Sequence, residues 1–190
     1  MSKTRIPSEL KGRMFSTKEA TRKGLTFYAL RKMIEKGVVH KIARGLYQAA
    51  QADFSEGESF TAASLQIGTP NAICLVSALV YYQLADVIPK KVWMMVDASK
   101  RTKYRSIRLL RTRNPRWTIG IDKKKGYWVT SLERTLVDAI IYRNLIGTNV
   151  AMEALRKANR NSTVTLGRLV DMGKKLKAYH RIQPYLEALA

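Results

Sequence analysis

The sequence has few of the residues on which disulfide bonds, metal sites and membrane segments depend. It contains one cysteine and two histidines in 190 residues. An intrachain disulfide is therefore impossible, and a cysteine–histidine metal site lacks ligands. Every apolar run is shorter than the ~20 residues of a membrane-spanning helix, and the N-terminus has no hydrophobic signal region. These absences predict a soluble cytoplasmic protein that uses no metal or other cofactor and no membrane.

Acidic residues are also scarce. The chain has 35 Lys and Arg against 14 Asp and Glu, which gives a net charge of +21 and a pI near 10.4. Residues 1–50 carry net +9, residues 51–89 net −4, residues 90–126 net +11 and residues 127–190 net +5. Two basic blocks that flank an acidic one favour a polyanionic partner, bound by two surfaces or by one composite surface.

The first basic block contains the signals of two short helices. Ser16 precedes Glu19 by three residues, which is a capping box at the start of a helix, and Gly24 supplies a left-handed stop. Thr26 is a suitable N-cap for the second helix. Apolar residues at spacings of three and four predict its buried stripe: Phe27, Leu30 and Ile34.

A small hairpin is predicted directly after these helices. Residues 38–42 and 46–48 are strand-like and are joined at 43–45, where Gly45 is free to take a positive φ. Helix, turn, helix and a hairpin with a basic tip form the layout of a winged helix-turn-helix, whose second helix fits the DNA major groove.

The exposed side of the second helix and the hairpin tip supply the candidate DNA contacts. Arginine and lysine suit guanine edges or phosphates, and a tyrosine near the helix start suits a phosphate or a thymine methyl. A basic hairpin reaches the neighbouring backbone or the minor groove. The candidate DNA-binding residues are Thr26, Tyr28, Arg31, Lys32, Lys41 and Arg44. The alternative is an amphipathic helix whose charged face, which includes Glu35, is only solvated.

A second domain is predicted after a small, polar linker at residues 48–57. Helices and strands are expected in the order helix 59–66, helix 72–85, strands 92–96, 105–111, 116–121 and 127–129, helices 132–143, 148–159 and 163–178, and a short helix after Pro184. Strands grouped between helices indicate an α+β protein. It would have a winged helix-turn-helix domain over 1–50 and a mixed α/β domain over 58–190, with a small sheet packed by helices.

The second basic block carries a further candidate surface. Its members are Lys103, Arg105, Arg108, Arg111, Arg113, Lys123 and Lys124. If this surface dominated binding, the protein would be a stand-alone DNA- or RNA-binding module with a steep salt dependence and little sequence preference. The same block is equally compatible with a DNA-backbone contact or a docking face for an acidic protein.

No residue pattern indicates an enzyme. Cys74 lies in an apolar run, which favours a buried structural thiol. A faint carboxylate-plus-lysine pattern at Asp97 and Lys100 lacks the second carboxylate that metal-assisted hydrolysis needs. Arg134 and Asp138 are four residues apart on one helix and are expected to pair structurally. The three tryptophans lie in strand-like runs, which favours packing over base stacking.

Four segments, taken in order, resemble the AbiEi antitoxin family of type IV toxin–antitoxin systems. They are the turn Ala43-Arg44-Gly45-Leu46-Tyr47, the helix segment Ser77-Ala78-Leu79, the strand Val92-Trp93-Met94 and the segment Ser131-Leu132-Glu133-Arg134-Thr135-Leu136-Val137-Asp138. The similarity extends over most of the chain, and the first and last segments are its sharpest parts.

The resemblance implies a protein with two roles in phage defence by abortive infection. Family members bind inverted repeats at their own promoter through the winged helix and repress transcription there. Their C-terminal domain counters a partner toxin that resembles a nucleotidyltransferase. Carried over to this sequence, the DNA-binding role maps onto Tyr28, Arg31, Lys32, Lys41 and Arg44. No coiled coil or dimer helix is evident, so we expect a monomer that binds the repeats in pairs.

Overall fold

A computed structural model of the protein describes residues 6–50 and 57–188, which form two compact units divided between Thr69 and Pro70. The predicted α+β class is confirmed, with a winged helix-turn-helix at the N-terminus and a helix-packed sheet in the second unit. The helix expected at 59–66 is present but belongs to the first unit, although the sequence placed it in the second domain. Of the predicted linker, residues 51–56 lie outside the described part.

The first unit contains one three-stranded antiparallel sheet, ordered β1-β3-β2. Its elements are a 3-10 helix Ser8–Leu10, β1 Met14–Ser16, α1 Thr17–Arg22, α2 Phe27–Glu35, β2 Val39–Ala43, β3 Leu46–Ala49 and α3 Glu58–Ile67. The strand β1 was not predicted from the sequence, because three residues are too few to show an alternating pattern. Helix α3 packs against β1 and β3, and Gln48 Nε2 donates to Glu58 Oε1 at 2.8 Å.

Local hydrogen bonds confirm the predicted ends of α1 and α2. Ser16 Oγ accepts from the Glu19 N–H at 3.2 Å, and the Glu19 carboxylate accepts from the Ser16 N–H at 2.9 Å, which completes the capping box. Gly24 has a φ of +78° after α1. Thr26 Oγ1 then caps α2 by accepting from the Ala29 N–H at 3.1 Å.

The second unit is built on a mixed five-stranded sheet, ordered β6-β5-β4-β8-β7. The strands are β4 Ala72–Ile73, β5 Val92–Asp97, β6 Ile107–Thr112, β7 Ile121–Lys123 and β8 Trp128–Thr130. The helices are α4 Leu75–Tyr81, α5 Leu132–Ile141, α6 Arg143–Ile146, α7 Thr148–Arg160, α8 Leu166–Lys175 and α9 Tyr179–Glu187. Strand β6 pairs with β5 in parallel, while β4 pairs with β5 and β7 with β8 in antiparallel fashion.

Helix α5 lies at the centre of this unit and is buried from Arg134 to Ile140. It contacts α4, α7, α8 and α9, and its apolar residues Leu136, Val137 and Ile140 join one large core cluster. A helix enclosed on several sides has few solvent-facing positions, so its polar residues need partners inside the protein. Within residues 6–50 and 57–188, no helix is both long enough and apolar enough to span a membrane.

The buried polar residues of α5 satisfy one another and the surrounding backbone. Arg134 Nε donates to Asp138 Oδ2 at 2.7 Å, which confirms the predicted pair, and Arg134 Nη1 donates to the carbonyls of Trp117 at 3.3 Å and Ile119 at 2.6 Å. Burial nevertheless raises the pKa of Asp138 to about 6, because the loss of water outweighs the neighbouring guanidinium.

Two predicted elements around the sheet are wrong. The helix expected over 72–85 is only α4, because residues 72–73 form a strand that pairs with Met94 and Met95 and extend the sheet instead. Most of the segment 116–121, which was expected to be a strand, forms a turn, and β7 begins only at Ile121. Its carbonyl groups accept from Arg134 rather than from a neighbouring strand, which explains why no ladder forms.

Two C-terminal helix boundaries also differ from the prediction. Helix α8 begins at Leu166 rather than at residue 163, because Thr165 caps it with a hydroxyl that accepts from the Arg168 N–H. The Thr163 N–H instead donates to the Ala158 carbonyl near the end of α7. The short helix expected after Pro184 is α9, which begins five residues earlier and contains this proline.

We expect Asp138 to make the protein less stable as pH rises from about 4 to about 6. Its folded-state pKa lies above that of an unfolded aspartate, so the folded state holds the extra proton in this window. The contribution of this carboxyl to the free energy of unfolding therefore falls as pH rises, and it levels off above about pH 6.

Urea denaturation of wild type and Asp138→Asn between pH 4 and 8 measures this effect, because asparagine does not titrate. The wild-type unfolding free energy minus that of the variant should decline across the window. A constant or rising difference would contradict the assignment.

Candidate nucleic-acid interface

Helix α2 presents one face to the core of the first unit and the other to solvent. Leu30 and Met33 are buried at 4% and 1% exposure, and Ile34 is partly buried against the same cluster. The exposed side carries the predicted polar and charged residues: Tyr28, Arg31, Lys32 and Glu35. The structure therefore gathers the four on one accessible surface, as a recognition helix requires.

The prediction that Phe27 is buried is wrong, since its side chain is 73% exposed. Successive residues lie ~100° apart around a helix, so Phe27 is about 60° from Leu30 and about 40° from Arg31. It therefore flanks the buried stripe, and Met33 occupies the core instead. The spacing of four residues to Arg31 is the signal that could have placed Phe27 on the exposed side.

Weak interactions orient the charged side chains of α2. Arg31 Nε donates to Glu35 Oε1 at 3.0 Å, and both side chains are exposed. A surface ion pair of this kind contributes about 0–1 kcal/mol to stability. Arg31 can therefore leave Glu35 and bind a phosphate or a base edge at little cost in free energy. Lys32 Nζ lies 4.8 Å from the centroid of the Tyr28 ring, which is 67% exposed.

The start of α2 adds an exposed apolar pair to this charged face. Thr26 is an exposed residue whose hydroxyl oxygen serves as the helix cap, while Phe27 and Tyr28 follow it in the first turn. Aromatic and methyl-bearing side chains make apolar contact with the thymine methyl in the major groove. The N-terminal turn of α2 thus offers apolar contacts, and the next turn offers cationic ones.

The β2–β3 hairpin forms the wing. Lys41 in β2 and Arg44 in the turn are exposed as predicted, and neither has an acidic partner among the described residues. Gly45 adopts a φ of +76°, and its carbonyl accepts from the Thr17 N–H at 3.0 Å, which ties the turn to α1. Ile42 is 46% exposed between the two cations, so the wing also carries an apolar side chain that the sequence did not single out.

The predicted C-terminal basic surface is divided by the sheet. Lys103 and Arg105 lie in the segment that leads into β6, Arg108 and Arg111 lie on β6, and Arg113 follows it. Lys123 ends β7 and Lys124 follows it, at the opposite edge of the five strands. Four strand spacings of ~4.8 Å separate these edges by about 19 Å. The seven cations therefore form two groups rather than one continuous patch.

Aromatic residues near β6 are mostly packing residues. Trp93 and Trp117 are buried and belong to one apolar cluster, in line with the predicted packing role. Arg108 lies with its guanidinium 4.2 Å from the Trp93 ring centroid, so it covers the ring while remaining exposed. Base stacking at either ring is therefore blocked in this arrangement.

The residues considered as candidates for catalysis or metal binding do not form a common site in the described part of the chain. Cys74 is fully buried, and burial raises the pKa of its thiol well above the usual value. Asp97 is exposed and accepts from the Ser99 hydroxyl and N–H, which lowers the pKa of its carboxyl. In the described ranges, no three His, Cys, Asp or Glu side chains are grouped so as to hold a metal ion.

The first unit therefore has the geometry of a winged helix-turn-helix DNA-binding protein. Residues 5–50 match a family model described as a transcriptional regulator, AbiEi antitoxin. The resemblance to this family is thus confirmed over the winged helix, and the match supports, in general terms, a DNA-binding antitoxin regulator. The match ends with the wing and does not extend into the second unit. No curated protein matches the chain.

We expect Phe27→Ala and Leu30→Ala to affect stability very differently, although both remove an apolar side chain from α2. Loss of the exposed Phe27 ring should change the free energy of unfolding by less than about 0.5 kcal/mol. Loss of the buried Leu30 side chain should cost about 2–5 kcal/mol by leaving a cavity. Urea denaturation of the two variants tests this. A comparable loss of unfolding free energy in both would show that the Phe27 ring is packed in the core.

Proposed function

We propose that the protein is a transcriptional repressor that binds inverted repeats at its own promoter and also acts as an antitoxin. Its target would be a nucleotidyltransferase-like toxin of a type IV abortive-infection system. The observation that carries the DNA-binding half is the exposed cationic face of α2 beside a basic wing, both inside the family match.

The dimensions of α2 suit the major groove. An α-helix with its side chains is ~10–12 Å in diameter, which fits the ~12 Å width of the groove, and the nine residues of α2 extend about 13 Å along it. With α2 inserted, Arg31 and Lys32 reach guanine edges or phosphates, while Phe27 and Tyr28 contact thymine methyl groups. The wing residues Lys41 and Arg44 lie on the adjacent hairpin and reach the neighbouring backbone.

Inverted repeats require two copies of this site. One winged helix reads one half-site, and a palindrome presents two half-sites of opposite orientation. A monomer with a single recognition helix therefore binds the operator in pairs, one copy to each repeat. The proposal needs no preformed dimer, in keeping with the sequence-based expectation.

The antitoxin half is assigned to the second unit. Support comes from the resemblance, which includes Ser131–Asp138, and from the presence of a separate compact unit beyond the winged helix. The residues of this segment fix α5 inside that unit, since Arg134 pairs with Asp138 and donates to the carbonyls of Trp117 and Ile119 in another part of the unit. They therefore maintain the scaffold, and the toxin would be contacted by the surface that the scaffold supports.

We expect specific DNA binding to depend on α2 and not on the cations near β6. In a gel-shift titration on the DNA upstream of the gene, Arg31→Ala/Lys32→Ala should weaken binding by about 1–3 kcal/mol for each base that these side chains recognise. Lys103→Ala/Arg105→Ala removes the same charge from the second unit and should bind the upstream DNA almost as wild type does.

Random DNA at physiological salt is the reference in the same titration. Equal affinity of wild type for both DNAs, with the larger loss in Lys103→Ala/Arg105→Ala, would support the stand-alone nucleic-acid-binding module instead. That alternative rests on the exposed cations gathered around β6.

We expect the two proposed roles to be separable. The full chain should restore growth when expressed with a toxic neighbouring gene product, and Arg31→Ala/Lys32→Ala should restore it equally well, because these residues belong to the first unit. Expression of both proteins from a foreign promoter removes autoregulation from the readout. Failure of the variant alone to protect would show that neutralisation requires DNA binding.

A further inference from the structure

The second unit contains a pocket of about 250 Å³ at the end of β6. Its walls come from β6 and the residues after it, from α5, and from the α8–α9 connection. Four of its lining residues are arginines, Arg111, Arg113, Arg134 and Arg181, and the carboxylate among the lining residues is that of Asp138. Four cations against one anion is a strong excess for so small a volume, where charges of one sign reinforce each other.

The Arg134–Asp138 pair contributes no net charge to the pocket. The two groups are 2.7 Å apart and nearly inaccessible, so the Asp138 charge is offset locally. The uncompensated charge of the pocket then comes from Arg111, Arg113 and Arg181. Throughout the described ranges, none of these three has an acidic partner within ion-pair distance.

The pocket is held in place from two sides. Arg181 Nη2 donates to the Ile141 carbonyl at 3.1 Å, which fixes its guanidinium beside α5. Asn114 Nδ2 donates to the Leu176 carbonyl at 3.5 Å, and Arg116 Nη1 donates to the Lys175 carbonyl at 3.2 Å. These bonds satisfy the free carbonyl groups at the end of α8 and attach the segment after β6 to it.

The buried arginine retains hydrogen-bonding capacity. Arg134 has five N–H groups, and its Nε and Nη1 donate to oxygen acceptors. Its Nη2 has only the Met95 sulfur, at 3.4 Å, as an acceptor among the described residues. A thioether is a weak acceptor, so the Nη2 group is only weakly satisfied in this structure.

We propose that this pocket binds the phosphate group of a small phosphorylated ligand. Phosphate offers three or more oxygens and up to two negative charges, which matches several guanidinium groups better than a carboxylate does. The remaining lining residues include the polar Thr112 and Asn114, and one side is apolar and aromatic: Ile141, Tyr142, Leu176 and Ala178. That side provides a surface for the part of the ligand attached to the phosphate. The site is separate from the winged helix, and its function does not depend on the repressor proposal.

Isothermal titration calorimetry on the full chain at physiological salt tests the proposal with inorganic phosphate, adenosine 5′-monophosphate and adenosine. Phosphate and the nucleotide should bind, and adenosine should not. Tighter binding of the nucleotide would assign the pocket to phosphorylated nucleosides, and equal binding would assign it to the phosphate group alone. Binding of adenosine as tight as that of the nucleotide, or no binding of either phosphate ligand, would overturn the proposal.

Two matched variants locate the site. Arg111→Ala/Arg113→Ala should weaken phosphate binding about tenfold or more for each arginine that contacts it. Lys103→Ala/Arg105→Ala carries the same charge change outside the pocket lining and should bind within about twofold of wild type, since salt screens distant charges. An equal loss of phosphate affinity in both variants would show that the net charge of the protein, and not the pocket, attracts phosphate, and this would overturn the proposal.

Arg181→Gln provides an independent test from α9. It should also weaken phosphate binding about tenfold while circular dichroism shows the fold unchanged. If the double variant does not fold, Arg181→Gln is the deciding variant. Unchanged phosphate affinity in Arg181→Gln would then overturn the proposal. Displacement of phosphate by a random DNA duplex, with the duplex losing affinity in the pocket variants, would assign these arginines to a DNA backbone contact instead.

Discussion

The buried guanidinium of Arg134 connects two parts of the second unit, helix α5 and the turn between β6 and β7. It pairs with Asp138 on its own helix and donates to the carbonyls of Trp117 and Ile119, so the turn between β6 and β7 is fixed against α5. Removing one partner of such a buried pair typically costs about 3–5 kcal/mol. The pocket beside β6 depends on this anchor, because Arg134 and Asp138 are among the residues that line it.

The two short helices and the hairpin of the first unit could be predicted because their signals are local. The capping box at Ser16, the glycine at 24 and the turn glycine at 45 each act over three or four residues. In the second unit the decisive contacts are distant in sequence. Residues 72–73 form a strand only because β5 and β8 accept them, and residues 117–119 form a turn because an arginine fifteen or more residues away binds their carbonyls.

The candidate site shows the same division between local and distant information. Helical spacing predicts which charged residues of α2 face solvent, but it does not separate Phe27, at the edge of the buried stripe, from core residues such as Met33. Charge counting identified the second basic block and could not reveal that the sheet separates it into two edges. Two members of one group, Arg111 and Arg113, line a pocket together with Arg134 and Arg181, and no sequence pattern indicated this pocket.

Hydroxyl-radical footprinting upstream of the gene would test whether the winged helix recognises a paired DNA site, as we propose. We expect two protected patches of opposite orientation, with centres one or more helical turns of about 10.5 base pairs apart. Each patch should include the backbone beside a major groove, where α2 would lie. Uniform weak protection along the whole fragment, without paired patches, would contradict the claim.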